Sequence, residues 1–298
     1  MKTRSFLKLS SMALAIATIS TGAYSAQLEE IIVTAQKRAE SLQDVPISMT
    51  AITGERMKDA GITSFADLNG FVPNLAISEN AVNTIITLRG ISVGANQSFE
   101  QSVGVYVDGV HYGKSRQIRT GLFDLQQVEV LRGPQGILFG KNTLAGAINV
   151  TTAEPEMGEG MSGKVAATVE SDDGELLEAH LNYSPSDNLG FRFAVRDRSD
   201  DGYMDNGFAT AANGAPTAMP STDETIWRFT TMWEPNDSTS IKLTHGESDF
   251  VRVGGPGAVT TFAPETNIPA SNSVMFAMMG ASFPDYAANV AAGDIDAF

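Results

Sequence analysis

Between residues 161 and 249, apolar and polar side chains alternate with a period of two, and this restricts the chain more than any other feature. Ala179, Leu181 and Tyr183 alternate with His180, Asn182 and Ser184, and Phe191, Phe193 and Val195 with Arg192, Ala194 and Arg196. Trp227, Phe229, Thr231 and Trp233 alternate in the same way with Arg228, Thr230 and Met232. Successive side chains of a strand point to opposite faces, so the pattern predicts strands with two unlike faces and not helices. Residues 164–170 and 240–246 are strand-like with a less regular pattern. The connectors around Asp172-Asp173-Gly174, at 185–189 and at 235–238 are short, whereas 199–222 and the stretch after Asp249 are long. Short turns at one end and longer loops at the other suit a transmembrane barrel. A soluble β-sandwich has alternating strands at similar spacing. Periodicity leaves both open, and the aromatic residues Tyr183, Trp227 and Trp233 favour a membrane girdle only slightly.

The N-terminus adds a compartment. Lys2, Arg4 and Lys8 precede an apolar run at 9–19, and Ala23 and Ser25 are small residues at the −3 and −1 positions of a cut after Ser25. Residues 1–25 therefore read as a cleaved export signal. A cut after Ala26 would place bulky Tyr24 at −3. The apolar run is too short to span a hydrocarbon core of ~30 Å, and no later stretch reaches the ~20 apolar residues of a membrane helix. An exported chain of this kind can reside in a membrane only as a closed barrel, which pairs every backbone group.

Composition removes several functions. The formal charge is −15, and loss of the signal leaves 17 basic against 35 acidic residues, net −18. Nucleic acid is not an expected partner, because phosphate binding needs a basic face. There is no Cys, which excludes disulfide frameworks, thiolate chemistry, Cys-based zinc sites and a lipoprotein anchor. His111, His180 and His245 are far apart in the sequence. No metal site, cofactor or catalytic residue is expected.

Residues 46–155 carry mixed signals. Thr53 is placed to cap a helix with Ile52, Met57 and Ala60 near one face, and Gly61 is a natural stop. A second helix is expected from about Ser64, with Phe65, Leu68 and Phe71 at helical spacing and Pro73 ending it. Strands are expected at Thr84–Leu88, Val103–Val107, 127–131 and 147–151. Asp108-Gly109 predicts a hairpin turn. A segment of this size can own a core, so the expected fold is a small α+β domain followed by antiparallel strands.

Enzyme motifs fail on inspection. The run 136–141, GILFGK, superficially resembles a phosphate-binding loop, but it is one spacer residue short, and Asn142 stands where a magnesium-binding hydroxyl belongs. There is no nucleophile elbow for a hydrolase. Asp172-Asp173 and Asp200-Asp201 lie in turn signals and read as solvated loop charges.

Four stretches resemble one family. Residues 29–36, EEIIVTAQ, are similar to the TonB box of TonB-dependent receptors, and 37–53, KRAESLQDVPISMTAIT, to the start of their plug domain. VGVYVDGV at 103–110 and VEVLRGPQGILFGKNTLAGAINVTT at 128–152 resemble its most distinctive part. Physically, Ile31, Ile32 and Val33 favour an extended strand that Glu29 and Glu30 keep soluble, and a free strand can add to a partner's sheet edge. The resemblance implies that Glu30, Ile31, Ile32, Val33, Thr34 and Ala35 contact the TonB C-terminal domain, coupled to the inner-membrane energising complex. It also implies that Arg132 pairs with carboxylates on the inner barrel wall. An internal plug salt bridge is the competing reading, and Arg89, in the Arg89-Gly90 element, carries the same pair of readings. Gly133 and Gly136 belong to the same Gly-rich element, where tight turns need glycine.

The organisation implied is signal 1–25, TonB-box segment 26–45, plug 46–155 and, from 161 to 298, the start of a barrel of the 22-stranded plugged kind. The remaining length is too short to close such a barrel. Phe298 supplies the aromatic end of a closing strand, but Asp294 and Asp296 fall where apolar residues belong. A fragment or truncated product is therefore expected. The implied function is energised uptake of a scarce solute, a ferric siderophore first among the classes, in the lipid of the outer membrane. The short leader before the box implies transport without transcriptional signalling. A non-transporting remnant and a soluble exported β-rich binding module are the alternatives.

Overall fold

A computed structural model describes residues 31–34, 37–79, 84–93, 100–170, 173–205 and 217–254. The expected signal, Glu29, Glu30, Ala35 and residues 255–298 lie outside the described residues.

The N-terminal part opens with two short strands, β1 (Ile32–Val33) and β2 (Glu40–Ser41), paired antiparallel. They lead into β3 (Met49–Thr53) and α1 (Gly54–Asp59). Thr53 caps α1, its hydroxyl accepting from the Arg56 amide at 3.3 Å, and Gly61 takes the left-handed φ of +66° that ends it. The expected second helix is instead a 3-10 turn at Ala66–Gly70. Local side chains tighten it. The Asp67 carboxylate accepts from the Thr63 and Ser64 amides at 2.9 and 2.8 Å. Asn69 clips both backbone groups of Ile77.

Hairpin β4 (Leu75–Glu79) and β5 (Thr84–Leu88) follows. Next come β6 (Val103–Val107), β7 (Val110–His111), β8 (Leu125–Arg132), α2 (Gly136–Phe139) and β9 (Gly146–Thr152). The Asp108-Gly109 turn forms as expected, with φ of +48° and +81°. Strands β3, β8, β9, β6 and β7 make one sheet in that order, with β6 and β9 parallel and the other pairs antiparallel. One continuous cluster, including Met57, Leu68, Ile86, Leu88, Val103, Val128, Val130 and Ile148, fills the space between this sheet, α1 and the β4–β5 hairpin.

The second part is an open antiparallel sheet. Its strands are β10 (Met161–Val169), β11 (Glu175–Ser186) and β12 (Leu189–Asp200), then the small pair β13 (Met204–Asp205) and β14 (Ala218–Met219), then β15 (Ser221–Asn236) and β16 (Thr239–Val253). The sheet order is β10-β11-β12-β15-β16, each strand beside its neighbour in sequence. Two-residue turns join β11 to β12 and β15 to β16 at one end, and the long connection carrying β13 and β14 lies at the other.

Alternation gives the sheet two faces, as the sequence predicts. Registers place Leu189, Trp233 and Ile241 on one rung, Tyr183, Phe191, Thr231 and Leu243 on the next, and Leu181, Phe193, Phe229 and His245 on the third. The rings contact one another along this face, Tyr183 with Phe191 at 6.4 Å and Phe191 with Phe229 at 6.2 Å between centroids. So large an exposed apolar patch has the character of a lipid-facing surface. No helix among the described residues is long and apolar enough to cross a membrane, which says nothing about strands.

Candidate functional site

The opposite face of the sheet meets the N-terminal domain, and arginine dominates the meeting. Arg192 and Arg196 point inward from β12, and Arg228 lies between them on β15, directly across from Ala194. The segment 121–124, just before β8, is what they hold. Asp124 accepts from Arg192 Nε at 2.9 Å and Nη2 at 2.5 Å, a two-point contact, and lies 3.4 Å from Arg228 Nη2. Arg228 Nη2 also donates to the carbonyls of Asp124 at 2.7 Å and Phe123 at 3.2 Å, with its guanidinium carbon 4.7 Å from the Phe123 ring centre.

Arg196 is fully buried. Its Nη1 donates to the carbonyls of Leu122 at 3.2 Å and Thr63 at 3.3 Å, and its Nε lies 3.1 Å from Glu224. Glu224 in turn accepts from the Gly121 amide at 2.5 Å. A Cβ at Gly121 would stand 2.6 Å from the Arg196 guanidinium carbon and 2.7 Å from a Glu224 oxygen, so only glycine lets the backbone approach this closely. Further contacts bracket the seam, Lys242 with Glu154 at 3.0 Å and Arg252 with Glu79.

Burial alone would raise the Asp124 carboxyl, but the Arg192 hydrogen bonds and the Arg192 and Arg228 charges outweigh it and hold the group below the usual carboxylate value. A buried, hydrogen-bonded ion pair of this kind makes one seating of the domain against the wall preferable, and removing either partner strands the other. The site binds one part of the chain to another. Among the described residues no cluster has the make-up of a metal site.

The sequence-predicted residues lie elsewhere. Arg132, at the end of β8, donates from Nη2 to the Met49 carbonyl at 3.1 Å, inside its own domain. Its Nε is buried with no hydrogen-bond partner among the described residues. Arg89 takes a positive φ of +54°, and its Nη1 would lie 3.3 Å from a Cβ at Gly133, whose own φ is +98°. Arg89, Arg132 and Gly133 are therefore neighbours, with Gly136 opening α2 beyond them. Among the described residues, none of the four pairs with the five wall strands.

The run 136–141 is structural. Phe139 accepts at its carbonyl from the Tyr106 hydroxyl at 2.5 Å, and Lys141 pairs with Glu100 at 2.9 Å.

The N-terminal segment is docked and not free. Val33 is 1% exposed, β1 pairs with β2, and the Thr34 amide donates to Glu129 at 2.6 Å. Ile31 sits beside it, its carbonyl accepting from the Leu42 amide at 2.9 Å.

Sequence reasoning missed the Arg192, Arg196, Arg228 and Asp124 set. The signal was present in part: three arginines on one face of two alternating strands, in a chain with 20 basic and 35 acidic residues. Asp124 carried none, lying between two expected elements.

A small α+β domain seated by buried charge on the inner face of an open, aromatic-backed antiparallel sheet defines a plugged barrel-wall protein. The family described as TonB-dependent Receptor Plug Domain matches residues 41–147, and the plug with the strands after it is similar to the corresponding part of TonB-dependent receptors. A pesticin receptor of Yersinia pestis is 38% identical over 129 residues, covering 42% of this chain and 19% of that protein. The vitamin B12 transporter BtuB of Vibrio vulnificus is 29% identical over 136 residues, covering 44% and 22%. The chain thus spans about a fifth of the length of these relatives. The crystal structure of the ferric yersiniabactin uptake receptor FyuA of Yersinia pestis superposes with a TM-score of 0.60 at 30% identity, covering 68% of this chain and 31% of that one. The ferripyoverdine receptor of Pseudomonas aeruginosa gives a TM-score of 0.61 at 17% identity, a likeness of fold alone.

Proposed function

We propose that this chain supplies the plug and opening wall of an outer-membrane receptor that takes up a scarce solute with energy delivered through TonB. The observation that carries this reading is the buried arginine seam, which seats a separate folded domain on the inner face of a membrane-type sheet. A wall with its lumen filled in this way serves controlled passage. The solute class proposed is a ferric siderophore, supported by the similarity to receptors named for pesticin and ferric yersiniabactin uptake.

In this reading residues 1–25 direct export and are removed, 26–45 hold the TonB-contacting segment, 46–155 form the plug and 161–298 begin the wall. Residues 30–35 pair with an edge of the TonB C-terminal domain, which main-chain hydrogen bonding favours. Arg89 and Arg132, with Gly133 and Gly136 shaping their loop, meet carboxylates on wall strands beyond the five described. The buried, unpartnered Nε of Arg132 supports that assignment. The chain makes and breaks no bond in its substrate.

The test is uptake of radiolabelled ferric siderophore by cells whose receptor carries this plug, with and without TonB. Val33→Pro, which removes a donor from the extended segment, is expected to abolish uptake and leave surface binding intact. Uptake that persists without TonB sinks the proposal.

A further inference from the structure

Glu129 is the one carboxylate buried in the middle of the plug sheet, and the seam makes no use of it. It lies on β8, fully inaccessible, between apolar Val128 and Val130. Among the described residues its hydrogen bonds come from neutral donors. Gln127 Nε2 donates to Oε1 at 2.8 Å and Asn149 Nδ2 to Oε2 at 2.9 Å. The other two come from Thr34, through its amide at 2.6 Å and its hydroxyl at 3.3 Å, both to Oε1. A carboxylate kept from water needs every donor it has, and half of these reside on a peripheral segment 95 residues away in sequence.

We propose that Glu129 is a positioning residue, the latch that holds the N-terminal strand against the plug and keeps it from a partner. The chemistry suits a latch that opens. Charge-assisted bonds are strong and directional while the segment is seated. When the segment leaves, water reaches the carboxylate and replaces the lost donors, so release exchanges bonds instead of abandoning them. Only Val33 of β1 is fully buried with it, whereas Ile32 is 46% exposed, so little apolar surface opposes departure. Lys37 adds a lighter tether, its ammonium 4.8 Å from the Phe139 ring centre.

The inference rests on the proposed role of residues 30–35 only for the identity of the partner. The latch itself is a contact within the chain. The sequence has no Cys, so a single introduced thiol reports cleanly. In the full chain carrying Val33→Cys, alkylation is expected to be slow. Adding Glu129→Gln keeps the shape but leaves a neutral acceptor, and is expected to speed alkylation about tenfold, since charged hydrogen bonds are roughly twice as strong as neutral ones. Glu129→Ala is expected to exceed it.

Val105→Cys, at a core position that is 1% exposed, is the folding control and is expected to stay protected in both. If that control opens, Thr34→Pro carries the test. It removes the 2.6 Å amide donor and suits the extended conformation that Val33 already has. Its expected effect on the thiol at position 33 is the same acceleration. An alkylation rate at position 33 within twofold of the parent overturns the latch, whether in the Glu129 variants with the core thiol protected or in Thr34→Pro. Capture of the chain by the isolated TonB C-terminal domain is expected to rise in step with exposure of position 33. If that position opens and no capture occurs in parent or variant, the latch stands and the TonB reading of residues 30–35 falls.

Discussion

At the residue scale, Asp124 concentrates the seam's energy. Its side chain is 6% exposed and that of Arg192 7%, so breaking the pair leaves a buried guanidinium unanswered, at a cost of about 3–5 kcal/mol. Asp124→Asn is therefore expected to lower the protein's stability in detergent by about 3 kcal/mol, read by pulse proteolysis across a urea series. A loss under about 1 kcal/mol would mean that the pair is not what seats the plug. The same residue sets a pH response. Its folded pKa lies below the ordinary 3.8, so the unfolded state binds the proton more readily. The stabilisation is fully present above the unfolded pKa and is lost as pH falls through the lower, folded value. The stability difference between wild type and Asp124→Asn is expected to be flat from pH 7 to about 5 and to shrink below about 4. A difference that shrinks between pH 7 and 5 would assign the effect to another group. Gly121→Ala tests the close approach on the other side of the segment. With Arg196 fully buried and unable to swing away, overpacking is expected to cost about 1–3 kcal/mol in the same assay. Little of this was readable beforehand. Alternation put Arg192, Arg196 and Arg228 on one face, but what faced them depends on the fold bringing residue 124 across more than sixty positions of sequence.

At the element scale, the existence of strands was readable and their ends were not. The expected segments 227–233 and 240–246 lie inside β15 and β16, which run to 16 and 15 residues. The apolar alternation marks only part of each strand. Pairing continues beyond it through polar rungs such as Asp197, Thr225 and Asp249, which no hydrophobic pattern can signal. The helix expected after Ser64 shortened to a 3-10 turn because Asp67 and Asn69 offered the backbone side-chain partners, a competition that spacing does not register. The extended form of β1 was readable from Ile31, Ile32 and Val33, but its partner β2 and their pairing were missed, since a two-residue strand leaves no period at all. The outer face yields the test of medium. Phe193 lies on the third apolar rung. Phe193→Arg is expected to cost about 2–4 kcal/mol for folding into lipid vesicles, as for a charge near the bilayer centre. Phe193 is 42% exposed in the sheet, so in a water-facing sandwich the same change would fall within about 0.5 kcal/mol. Urea titration of vesicle-bound protein separates the two, and the smaller value would return the sheet to the soluble alternative.

At the scale of the whole molecule, the five described strands form a wall with two open edges. Among the described residues β10 pairs only with β11, and β16 only with β15. In water those edges would be hydrated. In hydrocarbon each unpaired N–H or C=O costs several kcal/mol, and a 15-residue edge such as β16 presents a row of them. The plug does not relieve this, because it meets the wall through side chains, Glu154 and Asp108 at Lys242, Asp124 at Arg192 and Arg228, and Glu79 at Arg252. Those anchors fix the plug along the height of the wall while leaving the backbone edges as they are. The wall and the plug therefore have separate requirements. The ion pairs of the seam form within the described residues, although Nη2 of the buried Arg196 has no hydrogen-bond partner among them, and lipid residence needs more strands. Residues 31–254 added to lipid vesicles are expected to give no protease-protected, heat-modifiable monomer. The same segment continued by further alternating strands until β10 and β16 both gain partners is expected to give one. A protected monomer from the five strands alone would show that these edges find internal partners, and the sheet would then be a closed unit and not part of a larger wall.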